Sequence, residues 1–119
     1  MNIPQLNPCR YSTIEKLQRE WNEQVTDNIP LDQTIIGRSF RVIGKLTFIK
    51  SEDDTVTIEH EEQTMQIDIS LLSGTDLELK TRYEFFGELE KRAENELVLK
   101  ARASRKIEAF NKKIYDMTS

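Results

Sequence analysis

Between residues 37 and 103 apolar and polar side chains mostly alternate, whereas near the two ends the apolar positions recur at three or four. The first period belongs to half-buried strands and the second to amphipathic helices. From Gly37 to Lys50, Phe40, Val42, Leu46 and Phe48 share one face of a long strand with Gly44 in its middle. After a polar turn at Ser51–Asp54, a second strand carries Val56, Ile58 and His60 inward. A turn at Glu61–Gln63 leads to a third strand with Met65, Ile67, Ile69 and Leu71 inward. Short polar turns between three such runs predict an antiparallel meander. A connection from Ser73 to Lys80 has room for about one helical turn. A hairpin follows: Tyr83, Phe85 and Leu89 line its first strand, the turn is at Ala93–Glu96, and Leu97, Leu99, Ala101 and Ala103 line its second.

The two ends read differently. Residues 1–11 form an extended tail, because Pro4 and Pro8 discourage regular structure. Ser12-Thr13-Ile14-Glu15 is a capping box, and Ile14, Leu17, Trp21 and Val25 continue as one helical stripe. That stripe is expected to pack on the chain's own sheet, with a partner-facing Trp21 as the alternative. Asp27-Asn28-Ile29-Pro30 stops the helix. A last helix, from about Ser104, presents Ile107, Phe110, Ile114 and Met117 at spacings of an a/d seam. Since the first helix already covers the barrel, the seam is expected to meet a partner. Ile43 and Phe86, which break the alternation just before a glycine, extend that patch.

The breaks in alternation also suggest the architecture. Phe40-x-Val42-Ile43-Gly44-x-Leu46 is echoed by Tyr83-x-Phe85-Phe86-Gly87-x-Leu89. Two coiled strands of this kind are expected to pair, with Arg41 and Lys45 against Glu84 and Glu88 as cross-strand or diagonal charge pairs. Three strands, a connection and two more strands is the order of the OB-fold. The fold class is therefore all-β with flanking helices: residues 1–36 as tail and helix, 37–104 as a five-stranded OB-fold barrel, and 105–119 as a C-terminal helix. An SH3-like barrel is the rival, though it seldom carries a helix at each end.

Composition narrows the function. The chain of 119 residues has 32% charged residues and a formal charge of −4. That balance argues against a strong, stand-alone nucleic-acid binder. No apolar run is long enough for a membrane span, and the N-terminus lacks a signal-peptide pattern. The single Cys9 excludes an internal disulfide and fits a reducing compartment. With one Cys and one His there is no zinc constellation, and Asp53-Asp54 lacks the spacing of a calcium loop. Neither a phosphate-cradling glycine loop nor a nucleophile elbow is present. No metal, cofactor or catalytic residue is expected; His60 reads as a buried barrel residue.

The charge is unevenly spread. Arg38, Arg41, Lys45 and Lys50 lie in an acid-free stretch, as do Lys100, Arg102, Arg105 and Lys106, while residues 51–68 hold seven acids and no base. Arg38, Arg41, Lys45, Lys100, Arg102 and Arg105 are the candidate nucleic-acid contacts. Single strands also need aromatic platforms, each worth about 1–3 kcal/mol per base. Phe40, Phe48, Tyr83 and Phe85 fall on the core face, which leaves Phe86, Tyr11 and Tyr115. Isolated binding is expected to be weak.

Tyr83-Glu84-Phe85-Phe86-Gly87-Glu88-Leu89, followed by Asn95-Glu96, Leu99, Ala101-Arg102 and Arg105, resembles the small OB-fold subunit (Ten-one type) of the telomeric CST complex. Arg41–Leu46, Ile67–Leu72 and the pair Ile114-Tyr115 resemble the same family, which is related to the smallest subunit of replication protein A. The resemblance implies a non-catalytic accessory subunit that binds a larger, Stn-type OB-fold partner through barrel and C-terminal helix. It also implies, through the complex, single-stranded telomeric DNA, telomerase regulation and polymerase α–primase at nuclear telomeres. Tyr115 joins Ile107, Phe110, Ile114, Met117, Phe86 and Ile43 as a partner-binding candidate on this basis. A replication protein A-like subunit, and an independent single-strand-binding OB module, remain the alternatives.

Overall fold

The computed structural model describes residues 10–72 and 74–107. The N-terminal helix, α1 (Ile14–Thr26), forms where the stripe demands it, with Ile14, Leu17 and Trp21 buried and Val25 packed against the core. Its cap sits one residue later than the capping box implies. Thr13 Oγ1 accepts the backbone N–H of Lys16 at 3.1 Å, because Ser12 is committed elsewhere: its own N–H donates to the Arg41 carbonyl at 3.0 Å. Thr13→Ala is therefore expected to lower stability by about 1 kcal/mol in a urea titration, with Ser12→Ala not acting through the cap. Trp21 is only 3% exposed and donates its indole N–H to the Asn95 carbonyl at 2.7 Å. The partner-facing alternative for Trp21 is thereby overturned.

Before the helix, β1 (Arg10–Tyr11) runs parallel to the first half of β2 (Ser39–Lys50). The meander continues through β3 (Thr55–His60) and β4 (Gln63–Asp68), joined by a two-residue turn in which Glu61 and Glu62 both have positive φ. That is the backbone of a tight hairpin. The last two strands are β5 (Arg82–Arg92) and β6 (Glu96–Lys106). β4 pairs with β6 in parallel and β2 pairs with β5 antiparallel. The order β2-β3-β4-β6-β5 thus returns to β2 and closes the five-stranded barrel expected of an OB-fold. α1 packs against β2, β3 and β4, and Trp21 links it to the β5–β6 turn.

Closure depends on β2 serving two neighbours. Its residues 39–45 pair with β5 and its residues 45–50 with β3. Gly44 lies at the changeover, and a Cβ there would stand 2.9 Å from the Cβ of Ile58. The echoed segments do pair, with Phe40 opposite Gly87 and Gly44 opposite Tyr83. Their expected charge pairing is corrected, however. Arg41 faces Phe86 and Lys45 faces Arg82, while Glu84 and Glu88 bond to Arg105 and Arg102 of β6.

Three further corrections share one cause, a local change in strand register or extent. A bulge between Leu46 and Phe48 turns Phe48 outward, leaving it 57% exposed instead of in the core. A second shift at Phe86/Gly87 places Ala103 opposite Phe86 and Ala101 opposite Gly87, so Arg102 is the extra residue and Ala103 is exposed. β4 stops at Asp68, whose Oδ1 accepts the Ser70 N–H at 2.8 Å, and Leu71 is exposed beyond the turn. The following connection holds turns but no helix among its described residues, and Leu72 and Leu77 pack from it against the core. β6 runs through Lys106, two residues past the expected start of the last helix at Ser104. Phe110, Ile114, Tyr115 and Met117 lie outside the described residues.

Candidate functional site

The outward face of β2, β5 and β6 brings several sequence-predicted residues together. Strand register sets them in rows: Ile43 beside Glu84 beside Arg105, and Arg41 beside Phe86 beside Ala103. Just past the end of β6 the Ile107 N–H donates to the Arg82 carbonyl at 2.9 Å. Ile43 is only 8% exposed although it lies on the outward register, and Phe86 and Ile107 are half-buried. The three apolar candidates Ile43, Phe86 and Ile107 therefore belong to one side of the barrel. The period of two brings this about: Ile43 pairs with Glu84, which shares a face of β5 with Phe86 two residues on.

Charged groups frame that patch. Arg105 bonds Glu84 Oε1 through its ε nitrogen at 3.1 Å and an η nitrogen at 3.0 Å. Glu84 Oε2 is buried without a hydrogen-bond partner. Arg102 bonds Glu88 Oε1 at 2.6 Å, and Lys106 approaches Glu78 at 3.6 Å. Arg41 lies over the Tyr11 ring, 5.5 Å from its centroid, a cation–π distance. Lys100 is half-buried opposite Glu88 and Asp68, while Arg38 and Lys45 are exposed. The two predicted basic strips thus flank the carboxylates of β5 and do not merge into one positive surface.

A second concavity lies between the Ser51–Asp54 and Ala93–Asn95 turns. This open cleft of about 490 Å³ is lined by Lys50, Asp53, Thr55, Gln66, Arg92, Ala93, Glu96 and Val98. Arg92 reaches Asp68 Oδ2 at 2.7 Å and Glu90 Oε1 at 2.6 Å, and Lys50 reaches Asp53 Oδ2 at 2.8 Å. Burial works against ionisation of Asp68, but the Ser70 N–H and the Arg92 guanidinium together outweigh it and hold the carboxyl below its ordinary value. The same carboxylates raise the Arg92 pKa. A lowered folded-state pKa adds stability above the unfolded-state value that is lost as pH falls through the folded one. Wild type is thus expected to exceed Asp68→Asn by about 1.5 kcal/mol at neutral pH. The gap should close on acidification below the carboxylate range, as read by urea titrations across pH. Sequence reasoning missed Arg92 and Asp68, since only barrel closure brings them together.

His60 is buried on the inward register of β3, as expected. Among the described residues no group of His, Cys, Asp and Glu is arranged to hold a metal ion, and no helix is long and apolar enough to cross a membrane.

Known proteins match this barrel on two counts. A family model described as a telomere-capping, CST complex subunit (Ten1) covers residues 12–119. A chain of the Schizosaccharomyces pombe Stn1–Ten1 complex superposes with a TM-score of 0.64 at 11% identity, covering 92% of this chain and 87% of that one. The S. pombe telomere capping protein Ten1 gives 0.64 at 12% identity, with 92% of each chain covered. The Escherichia coli hypothetical protein ygiW gives 0.57 at 16% identity, over 86% of this chain and all of that one. At these identities the solved structures establish the shared barrel alone. No curated protein matches the sequence. With the family model spanning nearly the whole chain, this protein belongs to the family of telomere-capping CST complex subunits of the Ten1 type.

Proposed function

We propose that this chain is a non-catalytic accessory subunit of a CST-type complex, whose main task is to bind and stabilise a larger, Stn-type OB-fold subunit. The family match over residues 12–119 carries this reading. The S. pombe relative was solved as an Stn1–Ten1 complex, which fits a constitutive heterodimer. Phe86 and Ile107, with the largely buried Ile43 in the next row, are the barrel's candidates for the interface, joined by Phe110, Ile114 and Met117 of the expected seam and by Tyr115. The complex, and not this chain alone, engages single-stranded telomeric DNA at nuclear telomeres. Through it come end protection, regulation of telomerase and recruitment of polymerase α–primase.

Affinity purification of the tagged chain tests the reading. A larger OB-fold subunit is expected to co-purify in equal amount, with the isolated chain holding single strands weakly. Tight binding by the isolated chain at moderate salt, falling steeply as salt rises, would instead mark an independent single-strand module.

A further inference from the structure

We propose that the cleft between the Ser51–Asp54 and Ala93–Asn95 turns is electrostatically closed to nucleic-acid phosphate, with Asp68 and Glu90 as the specificity-determining residues that occupy Arg92. OB barrels take single strands by combining a positive groove with aromatic platforms. Much of that equipment is present. The cleft measures about 490 Å³ and contains two cations, Lys50 and Arg92. Phe48 stands exposed on the outward face beside Thr57, which accepts a hydrogen bond from Gln66, one of the cleft's lining residues.

Among the described residues both cations of the cleft are already opposed by carboxylates. One η nitrogen of Arg92 contacts both Asp68 and Glu90, and its ε nitrogen contacts Glu90 again at 3.1 Å. Lys50 is held by Asp53, and Glu96 adds a further carboxylate to the wall. A phosphate approaching Arg92 meets two anions already seated on the guanidinium. Like charges at that range oppose binding more strongly than a shared arginine favours it. Asp68 is also fixed from behind by the Ser70 N–H at 2.8 Å, so it does not swing aside cheaply. The barrel keeps the OB groove's shape while its carboxylates refuse the usual ligand. The inference stands apart from the partner reading, because strand binding and partner capture are measured separately.

The test is anisotropy of a fluorescent oligothymidylate titrated with the full chain over a range of salt. Wild type is expected to bind weakly. Asp68→Asn with Glu90→Gln keeps an acceptor for Ser70 and frees Arg92, and should bind at least tenfold more tightly. The slope of log K against log salt should steepen by about 0.7, as for one more phosphate neutralised on a single strand. Adding Arg92→Ala should return the affinity to the wild-type value. If the double variant fails to fold, as judged by circular dichroism, Glu90→Gln with Glu96→Gln replaces it, and binding about threefold tighter than wild type is expected. Unchanged affinity in a folded variant overturns the proposal, as does tighter binding that survives Arg92→Ala. A tenfold loss on Arg92→Ala in the otherwise native chain also overturns it, since phosphate would then already reach the cleft.

Discussion

Phe110→Asp combined with Ile114→Asp is expected to abolish capture of the larger partner, a loss of more than a hundredfold in affinity, while the barrel's unfolding midpoint stays where it was. Each of these side chains gains about 1.5–3 kcal/mol when fully buried, and each tenfold in affinity corresponds to about 1.4 kcal/mol. Losing two of them reaches a hundredfold before the cost of burying two carboxylates is added. Among the described residues the core is assembled from positions between Ile14 and Ala101, so the midpoint of the barrel is expected to hold. Calorimetric titration of the partner and a thermal melt of the free chain read the two quantities separately. Capture that survives the double substitution removes the seam from the interface and leaves the barrel face around Phe86 to carry it.

The second large effect is internal. Gly87→Ala is expected to cost about 3 kcal/mol, the upper end for overpacking, and to disturb the β5–β6 ladder itself. A Cβ at Gly87 would stand 2.0 Å from the Lys100 carbonyl oxygen and 2.8 Å from the Ala101 Cα. Those are backbone atoms with no rotamer to yield, so one strand must move. Gly44→Ala makes the comparison: its new methyl would stand 2.9 Å from the Ile58 Cβ, an atom that side-chain rotation does not move, and 3.0 Å from its Cδ1. About 2 kcal/mol is expected there, below the Gly87 cost because the contact is 2.9 Å and not 2.0 Å, although relief still needs a small shift of β3. Urea titrations of the two variants should differ accordingly, and equal losses would show that the Gly87 contact is not what limits the site.

How far this fold was legible depended on whether a residue's position followed from its immediate neighbours. Ile14, Leu17 and Trp21 on a helix, or Val56 and Ile58 on a strand, are set by spacing alone, and all are buried. The glycine-centred echo announced the pairing of β2 with β5, because two strands that coil at the same point fit each other. Phe48, Ala103 and Leu71 were misread for a different reason. One bulged residue, or a strand ending three residues early, changes the facing of everything beyond it. No local pattern marks where that happens. Charge was the least legible layer: Glu84 and Glu88 lie close in register to Arg41 and Lys45, yet β6 reaches them from the other side with Arg105 and Arg102. For the same reason the pairing of Arg92 with Asp68, 24 residues apart, depends wholly on the parallel closure of β4 on β6.

These pairings bear directly on function. Cations that looked available for nucleic acid are in several cases already opposed by carboxylates, whereas the apolar residues that broke the alternation share one outward face. The balance favours protein association over strand binding. The most direct measurement is sedimentation equilibrium of the full chain mixed with the larger OB-fold subunit, run beside the chain with single-stranded DNA alone. The account predicts a one-to-one heterodimer at submicromolar concentration, and a free chain that leaves the DNA unbound at physiological salt. A chain that stays monomeric beside the larger subunit, yet sediments with the DNA, would contradict it.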